Sequence, residues 1–380
     1  MAGNASTPVR RFLAISKWPR LGYRRGQLFN SPVAGYAAAR DRLESAGGIH
    51  PKMPMMKNTW TGGQYSLFRG LFGVTLFIQF VRGTPFGLEI PADWNSAVAA
   101  LSLLVWGALA SIALALGFRD RIAALALAIP WIGIVTLDSI LANPGLLFFG
   151  WLLVAHVLMP SRPFGSWDAR DRLDPDGGWH MPNTLFLLGW VFLILGYVYL
   201  GLGATQSPDP AGQEFARGWP GFLLLHLFTF NPGWIPSRHP EGLTDVFYDG
   251  ACGLCHQTIR ILLAEDAEGL RFRFAPLDSE RFRAACSASG SGFASEEAIP
   301  DSVLVQRPQE PMLARSAGVL ELGHQLGGFW RLASMLMGWL PRTVLDAGYD
   351  FVARVRHRLF NRPEDACPIM PPHLRERFSP

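Results

Sequence analysis

Residues 244–255 read T-D-V-F-Y-D-G-A-C-G-L-C, and the reading of the C-terminal part of the chain turns on them. Thr244 to Asp249 is β-branched and aromatic, the composition of a strand. Cys252 and Cys255 follow, and then a helix-like run over 256–266 with Ile259, Leu262 and Leu263 on one face. Two intervening residues let both sulfurs meet across one helical turn and close a small disulfide ring. Cys252 falls at a helix N-terminus, where unbonded backbone N–H groups and the helix dipole favour a thiolate. Cys255 falls one turn in, suited to resolve a mixed disulfide. Asp249, three residues before Cys252, is placed to cap the helix or to move a proton during exchange.

Outward from this stretch, L-R-F-R-F-A-P-L at 270–277 alternates as a half-buried strand does, and a second helix covers 279–287. Ile299-Pro300 leads into the strand D-S-V-L-V-Q, and Ser316 opens a helix that runs to Leu326. Strand, CxxC at a helix start, strand, helix, proline-led strand and closing helix is the order of a thioredoxin-like α/β domain. In such folds the proline before the third strand faces the cysteine pair and binds extended substrate backbone. Pro300 holds that place. A CxxC is also half of a zinc site, with Cys286, Cys367, His256 and His324 as further ligand candidates. No second CxxC and no HxxxH pair accompanies it, so the redox reading is preferred, with no metal and no required cofactor.

The rest of the chain has a different composition. Of 380 residues 49% are hydrophobic and only 17% charged, against about 25% charged in soluble domains, and the mean hydropathy is +0.18. Apolar runs at 65–82, 96–117, 121–142, 144–160 and 183–203 approach the length of about 20 residues that a bilayer requires. A sixth, 219–236, is short and interrupted by Pro220 and Gly221. The fold class expected is therefore an α-helical multi-span membrane domain of five or six helices joined to an α/β domain. Arg119 and Arg121 follow the second run and Arg162, Arg170 and Arg172 the fourth, while the charged residues of loops 83–95, 138–143 and 204–218 are Asp and Glu, with Arg217 the only basic one. The positive-inside rule then places the N-terminus in the cytoplasm, in a membrane of bacterial inner or plasma type, and the C-terminal domain with it if 219–236 spans. Within the runs, Arg69, Asp138, His156 and His226 are the polar residues to account for.

Before these runs, residues 1–60 form a basic arm. It suits anionic lipid headgroups, and the membrane runs explain the charge without a nucleic-acid partner. After the CxxC domain, 328–356 reads as amphipathic helices covering that domain or lying on the membrane surface.

D-G-A-C-G-L-C at 249–255, R-F-A-P-L at 273–277, P-D-S-V-L-V at 300–305, P-R-T-V-L-D-A-G-Y at 341–349 and D-A-C-P at 365–368 resemble, in that order, the DCC family of thiol-disulfide oxidoreductases. The resemblance implies a thioredoxin-like domain over 243–370, with Cys252 and Cys255 as the redox pair, Asp249 as the motif acid and a protein or small-molecule thiol or disulfide as substrate. Residues 61–238 are more distantly similar to the horizontally transferred transmembrane family, related to vitamin K-dependent carboxylase, through Q-Y-S-L-F-R-G-L-F-G at 64–73, N-P-G-L-L-F-F-G-W at 143–151, S-W-D-A-R at 166–170 and Y-V-Y-L-G at 197–201. Carboxylases of that group use a lysine base shortly after the last of these. Here the only lysines are Lys17, Lys52 and Lys57, which argues against carboxylation but leaves room for a quinone- or lipid-binding cavity. Two functions are thus weighed: a membrane-anchored thiol-disulfide oxidoreductase, possible partners being the bilayer and a lipid-soluble electron carrier, and a membrane lipid- or quinone-binding or transport protein with a regulatory redox or zinc module.

Overall fold

Helices dominate the chain, with one small mixed sheet near its C-terminal end. The computed structural model describes residues 58–82, 93–137, 144–204, 210–238, 242–250, 252–289, 303–359 and 371–379. Its first part is a bundle of α1 (Gly62–Arg82), α2 (Trp94–Leu116), α3 (Asp120–Leu137), α4 (Pro144–Leu158), α5 (Asn183–Ala204) and α6 (Pro210–Thr229). The core is aromatic: Tyr65, Phe68, Phe72, Phe80, Phe149, Phe186 and Phe228 are almost fully buried. Leu67, Leu71, Val74, Ile78 and Val81 are spaced by four and three residues along α1 and face outward instead. Gly73 lets α1 and α2 touch, since a Cβ there would lie 2.6 Å from the backbone nitrogen of Ala115.

By length and composition one described helix, α2, suffices to cross a membrane, and shorter apolar segments lie at Leu147–Leu158, Asn183–Tyr199 and Trp219–Thr229. The sixth apolar run departs from its expected bounds. Its helix begins nine residues earlier, at Pro210, continues through Pro220, and stops at Thr229. Phe222, Leu224, Leu225 and Phe228 are buried in the bundle core and hold the helix across the proline, which alone would favour a break. Beyond it Asn231 accepts from Gly233 N–H at 3.1 Å and caps a short 3₁₀ turn.

One end of the bundle is tied together by polar contacts. Asn58 donates to the Met181 carbonyl, Thr59 to Asn231, and the Trp60 indole to the Phe230 carbonyl. Ser66 donates to the Phe164 carbonyl, and Arg121 to that of Met159. The starts of α1 and α5, the α2–α3 turn and the ends of α4 and α6 therefore share that end. Arg69 is buried there, its guanidinium beneath Gly117 and donating to the Gly165 carbonyl at 3.4 Å. His156 is packed among Tyr65, Phe68 and Phe72, its Nδ1 2.7 Å from the Leu152 carbonyl, and His226 bonds Tyr197 at 2.8 Å. His226 is accounted for by packing and hydrogen bonds, whereas Arg69 Nε and Nη1 and His156 Nε2 are buried without a hydrogen-bond partner, Arg69 Nη1 lying 4.0 Å from Asp120; Asp138 lies outside the described residues.

The second part contains β1 (Thr244–Tyr248), α7 (Gly253–Glu265), β2 (Phe272–Pro276), α8 (Glu280–Ser289), β3 (Leu304–Gln306), α9 (Arg315–Leu326), α10 (Gly328–Met337), α11 (Arg342–Leu359) and α12 (Pro372–Arg375). The sheet order is β2-β1-β3: β1 runs parallel to β2, with Val246 opposite Phe274, and antiparallel to β3, with Val246 opposite Val305. Single bridges extend both edges, Phe274 to Phe378 and Val305 to Leu313. The pleat sends Val246, Phe274 and Val305 to the face under α7, and Phe247, Ala275 and Leu304 to the other. Asp266, fully buried, accepts from the backbone N–H groups of Leu270, Arg271 and Phe272 and from the Arg271 and Arg377 guanidiniums. Residue 328 onward forms two amphipathic helices, α10 and α11, separated at Pro341.

Candidate redox site

The backbone turns sharply between β1 and α7, and Cys252 occupies the N-cap of that helix. Its φ of −98° and ψ of 114° are extended, and its Sγ accepts the Cys255 N–H at 3.3 Å. The cap expected of Asp249 is thus supplied by the cysteine itself. Asp249 contributes its backbone carbonyl, which accepts the Cys252 N–H at 3.2 Å. The helix begins three residues earlier than the apolar pattern indicated, because that pattern ignores the first turn, whose polar work is done by the cap. His256 bonds the Gly250 carbonyl through Nε2 at 2.8 Å and its ring meets Tyr248 edge-on, which fixes the turn from the far side.

Cys252 and Cys255 stand as thiols and retain only 2% and 3% of their possible exposure. Both pack on the sheet face that carries Val246 and Val305. Cys286 is packed against Phe247, Phe282 and Leu304 on the opposite face. One ion could not be held by all three, and the described residues contain no group of three or more His, Cys, Asp or Glu that could hold a metal. Pro300 and Cys367 lie outside the described residues.

An apolar cavity of about 470 Å³ opens beside Cys255. Leu254 and Thr258 of α7, Val319 and Leu322 of α9, and Gly348 and Tyr349 of α11 are among the residues that line it. Sequence patterning missed this cavity, since its walls come from helices that each read as ordinary amphipathic segments. The signal available was Gly348 on an otherwise continuous helix: a Cβ there meets nothing within 4 Å.

At its other end α7 is fastened to the bundle. Glu265 accepts from Thr61 Oγ1 at 2.6 Å and from the Trp330 indole at 2.8 Å, and a side chain on Gly63 would collide with it. Burial pushes the Glu265 carboxyl above its usual range, and the hydrogen bonds from Thr61 and Trp330 oppose that shift. Arg260 on the same helix donates to the Arg172 carbonyl at 2.8 Å. Phe329, at the start of α10, lies 5.2 Å from Trp60 and 5.4 Å from Phe230, ring centre to ring centre.

Residues 246–362 match the family model of the DCC1-like thiol-disulfide oxidoreductases. The match runs from β1 through α11, so it takes in both cysteines of the pair and the walls of the cavity, and this stretch is similar to a thiol-disulfide oxidoreductase. The resemblance drawn for the bundle has no such match. No curated protein and no solved structure matches the chain.

Proposed function

We propose that the chain is a membrane-anchored thiol-disulfide oxidoreductase with Cys252 and Cys255 as its exchanging pair. The placement of Cys252 at the N-cap of α7, one helical turn from Cys255 and with its sulfur accepting the Cys255 N–H, carries this reading, since that spacing lets the two sulfurs meet and close a small disulfide ring. The order β2-β1-β3, with one parallel and one antiparallel neighbour, supports a thioredoxin-like domain. In the reaction, Cys252 thiolate attacks one sulfur of a disulfide and expels the other as a thiolate. Cys255, deprotonated, then attacks Cys252 Sγ, which closes the intramolecular disulfide and releases the second thiol. Asp249 is assigned the proton transfer, and Pro300 the presentation of the substrate chain.

Membrane anchoring rests on the outward apolar faces of α1 to α6, which would be a liability in water. Arg119, Arg121, Arg162, Arg170 and Arg172 lie at the end of the bundle to which α7 is fastened. Under the positive-inside rule that end is cytoplasmic, and cytosolic reductants would keep the pair as thiols. The decisive experiment is exchange with a soluble disulfide by the full chain and by Cys252→Ser. Turnover is expected to vanish in the variant, while Cys255→Ser should accumulate a mixed disulfide. Undiminished turnover in Cys252→Ser would overturn the assignment. A reporter fused after Pro380 tests the side of the membrane, and an external signal would sink the cytoplasmic placement.

A further inference from the structure

The redox pair has two sides, and they differ in what they admit. Cys255, not Cys252, borders the apolar cavity, and no charged side chain is among its lining residues. Its hydroxyls already serve the protein: Thr258 donates to the Leu254 carbonyl, Ser316 to Asp346, and Tyr349 accepts the Val303 N–H at 3.2 Å. A nicotinamide or flavin nucleotide would bring phosphates, and a peptide disulfide such as glutathione its carboxylates, into a space with no countercharge, at a heavy desolvation penalty. What fits is a neutral, apolar molecule, and the volume of about 470 Å³ falls within the usual range of small-ligand sites, about 300–1,000 Å³.

The outer wall points to where such a molecule comes from. Met337, Leu340 and Val344 line the cavity and are half-exposed, and Trp339 beside them is 85% exposed. They lie on the α10–α11 hairpin, whose first turn packs on the bundle through Phe329. The hairpin thus touches the bundle at its first turn and lines the cavity beside Cys255 with apolar side chains at its far end. Resting on the reading of Cys252 and Cys255 as an exchange pair, we propose that this cavity is the site of a lipid-soluble quinone, which takes electrons from the reduced pair.

The chemistry balances without a further reactant. Cys255 thiolate adds to a ring carbon of the quinone. Cys252 thiolate then attacks Cys255 Sγ, the S–S bond forms as the S–C bond breaks, and the electron pair of that bond passes to the ring. The two thiol protons end on the two ring oxygens, so one dithiol and one quinone give one disulfide and one hydroquinone. The pair therefore has two faces in function: Cys252 exchanges with thiols or disulfides, and Cys255 passes electrons to the membrane carrier.

The test uses the full reduced chain in detergent, mixed without oxygen with decylubiquinone or, separately, with hydroxyethyl disulfide. Quinol formed and thiols lost are both counted. One quinol per pair of thiols is expected, and none in Cys255→Ser. Gly348→Leu fills the cavity from a position where a Cβ meets nothing, and should lower the ratio of quinone rate to disulfide rate about tenfold, with Gly348→Ala between it and the wild type. Exchange with the disulfide but not the quinone overturns the quinone site and leaves the thiol chemistry standing. Equal ratios in wild type and Gly348→Leu also overturn it, because the quinone would then be reduced elsewhere. Failure with both substrates removes the exchange pair and the quinone site together.

Discussion

Helices α2 and α7 place their large apolar residues on opposite sides, α2 being apolar nearly all round and α7 on one face. On α7 the large apolar residues Ile259, Leu262 and Leu263 are buried against the sheet and Gln257 faces out. On α2 the buried residues are Gly107, Ser111 and Leu114, while Leu101, Val105, Leu109, Ile112 and Leu116 are exposed. Small and polar residues inside with aliphatic residues outside is the pattern of a helix packed among its fellows in a solvent as apolar as itself. On the proposed membrane reading, the contrast separates burial within the chain from removal from water. In the sheet domain they coincide for most large apolar residues; the exceptions are Leu270, Val319 and the α10–α11 hairpin, which exposes Leu336, Trp339, Leu340 and Phe351.

The strongest way to break this comparison is a charge at the middle of α2. Val105 is 59% exposed, so Val105→Arg would be nearly neutral in water but should disfavour insertion by about 2.5–3.5 kcal/mol in a bilayer. Membrane-fraction yield measures it, and Gln257→Arg on α7 is the control, expected to change stability by less than about 0.5 kcal/mol. Unaltered yield from Val105→Arg would put α2 in water.

The joint between the two regions comes next in size. Glu265→Ala leaves the Thr61 hydroxyl and the Trp330 indole N–H buried without their acceptor, a loss of about 1–3 kcal/mol that thermal unfolding would detect. Glu265→Gln keeps an acceptor and removes the charge. Because burial raises the folded carboxyl above its unfolded value, the native state binds the extra proton. Stability from this group is therefore full at low pH and declines as pH rises from the unfolded value through the folded one. The glutamine variant should lose that decline. The smallest effect belongs to α11: Gly348→Ala should stabilise it by about 1 kcal/mol or less, visible as a raised melting temperature.

What could be read beforehand follows the range of the interactions. β1, the cysteine pair and the apolar face of α7 are written within twenty consecutive residues, and were legible in strand composition, spacing and period. The bounds of α6 were not, since Pro220 signals a break locally and only the burial of Phe222 and Phe228 among other helices overrides it. Glu265 gave no local sign either: its partners, Thr61 and Trp330, are 204 residues before and 65 after it. The cavity was equally hidden, because helices distant in sequence, α7 and the α9–α11 group, supply its walls. That Cys252 itself is the N-cap of α7 was hidden for another reason, since a thiol at an N-cap is chemically unlike the usual oxygen acceptors.

The bridge between Phe274 and Phe378 has a consequence for assembly. The edge of β2 is covered by residues 104 positions further along, and the same segment brings Arg377 to Asp266 across 111 residues. Contacts so distant in sequence form slowly, because the long loop must close before they contribute. A ribosome emitting this chain would have produced the bundle and the cysteine pair well before the piece that seals the sheet. The sheet domain would thus pass through a stage with Asp266 lacking Arg377 and an open strand edge, the interval in which it is most open to mispairing with another chain.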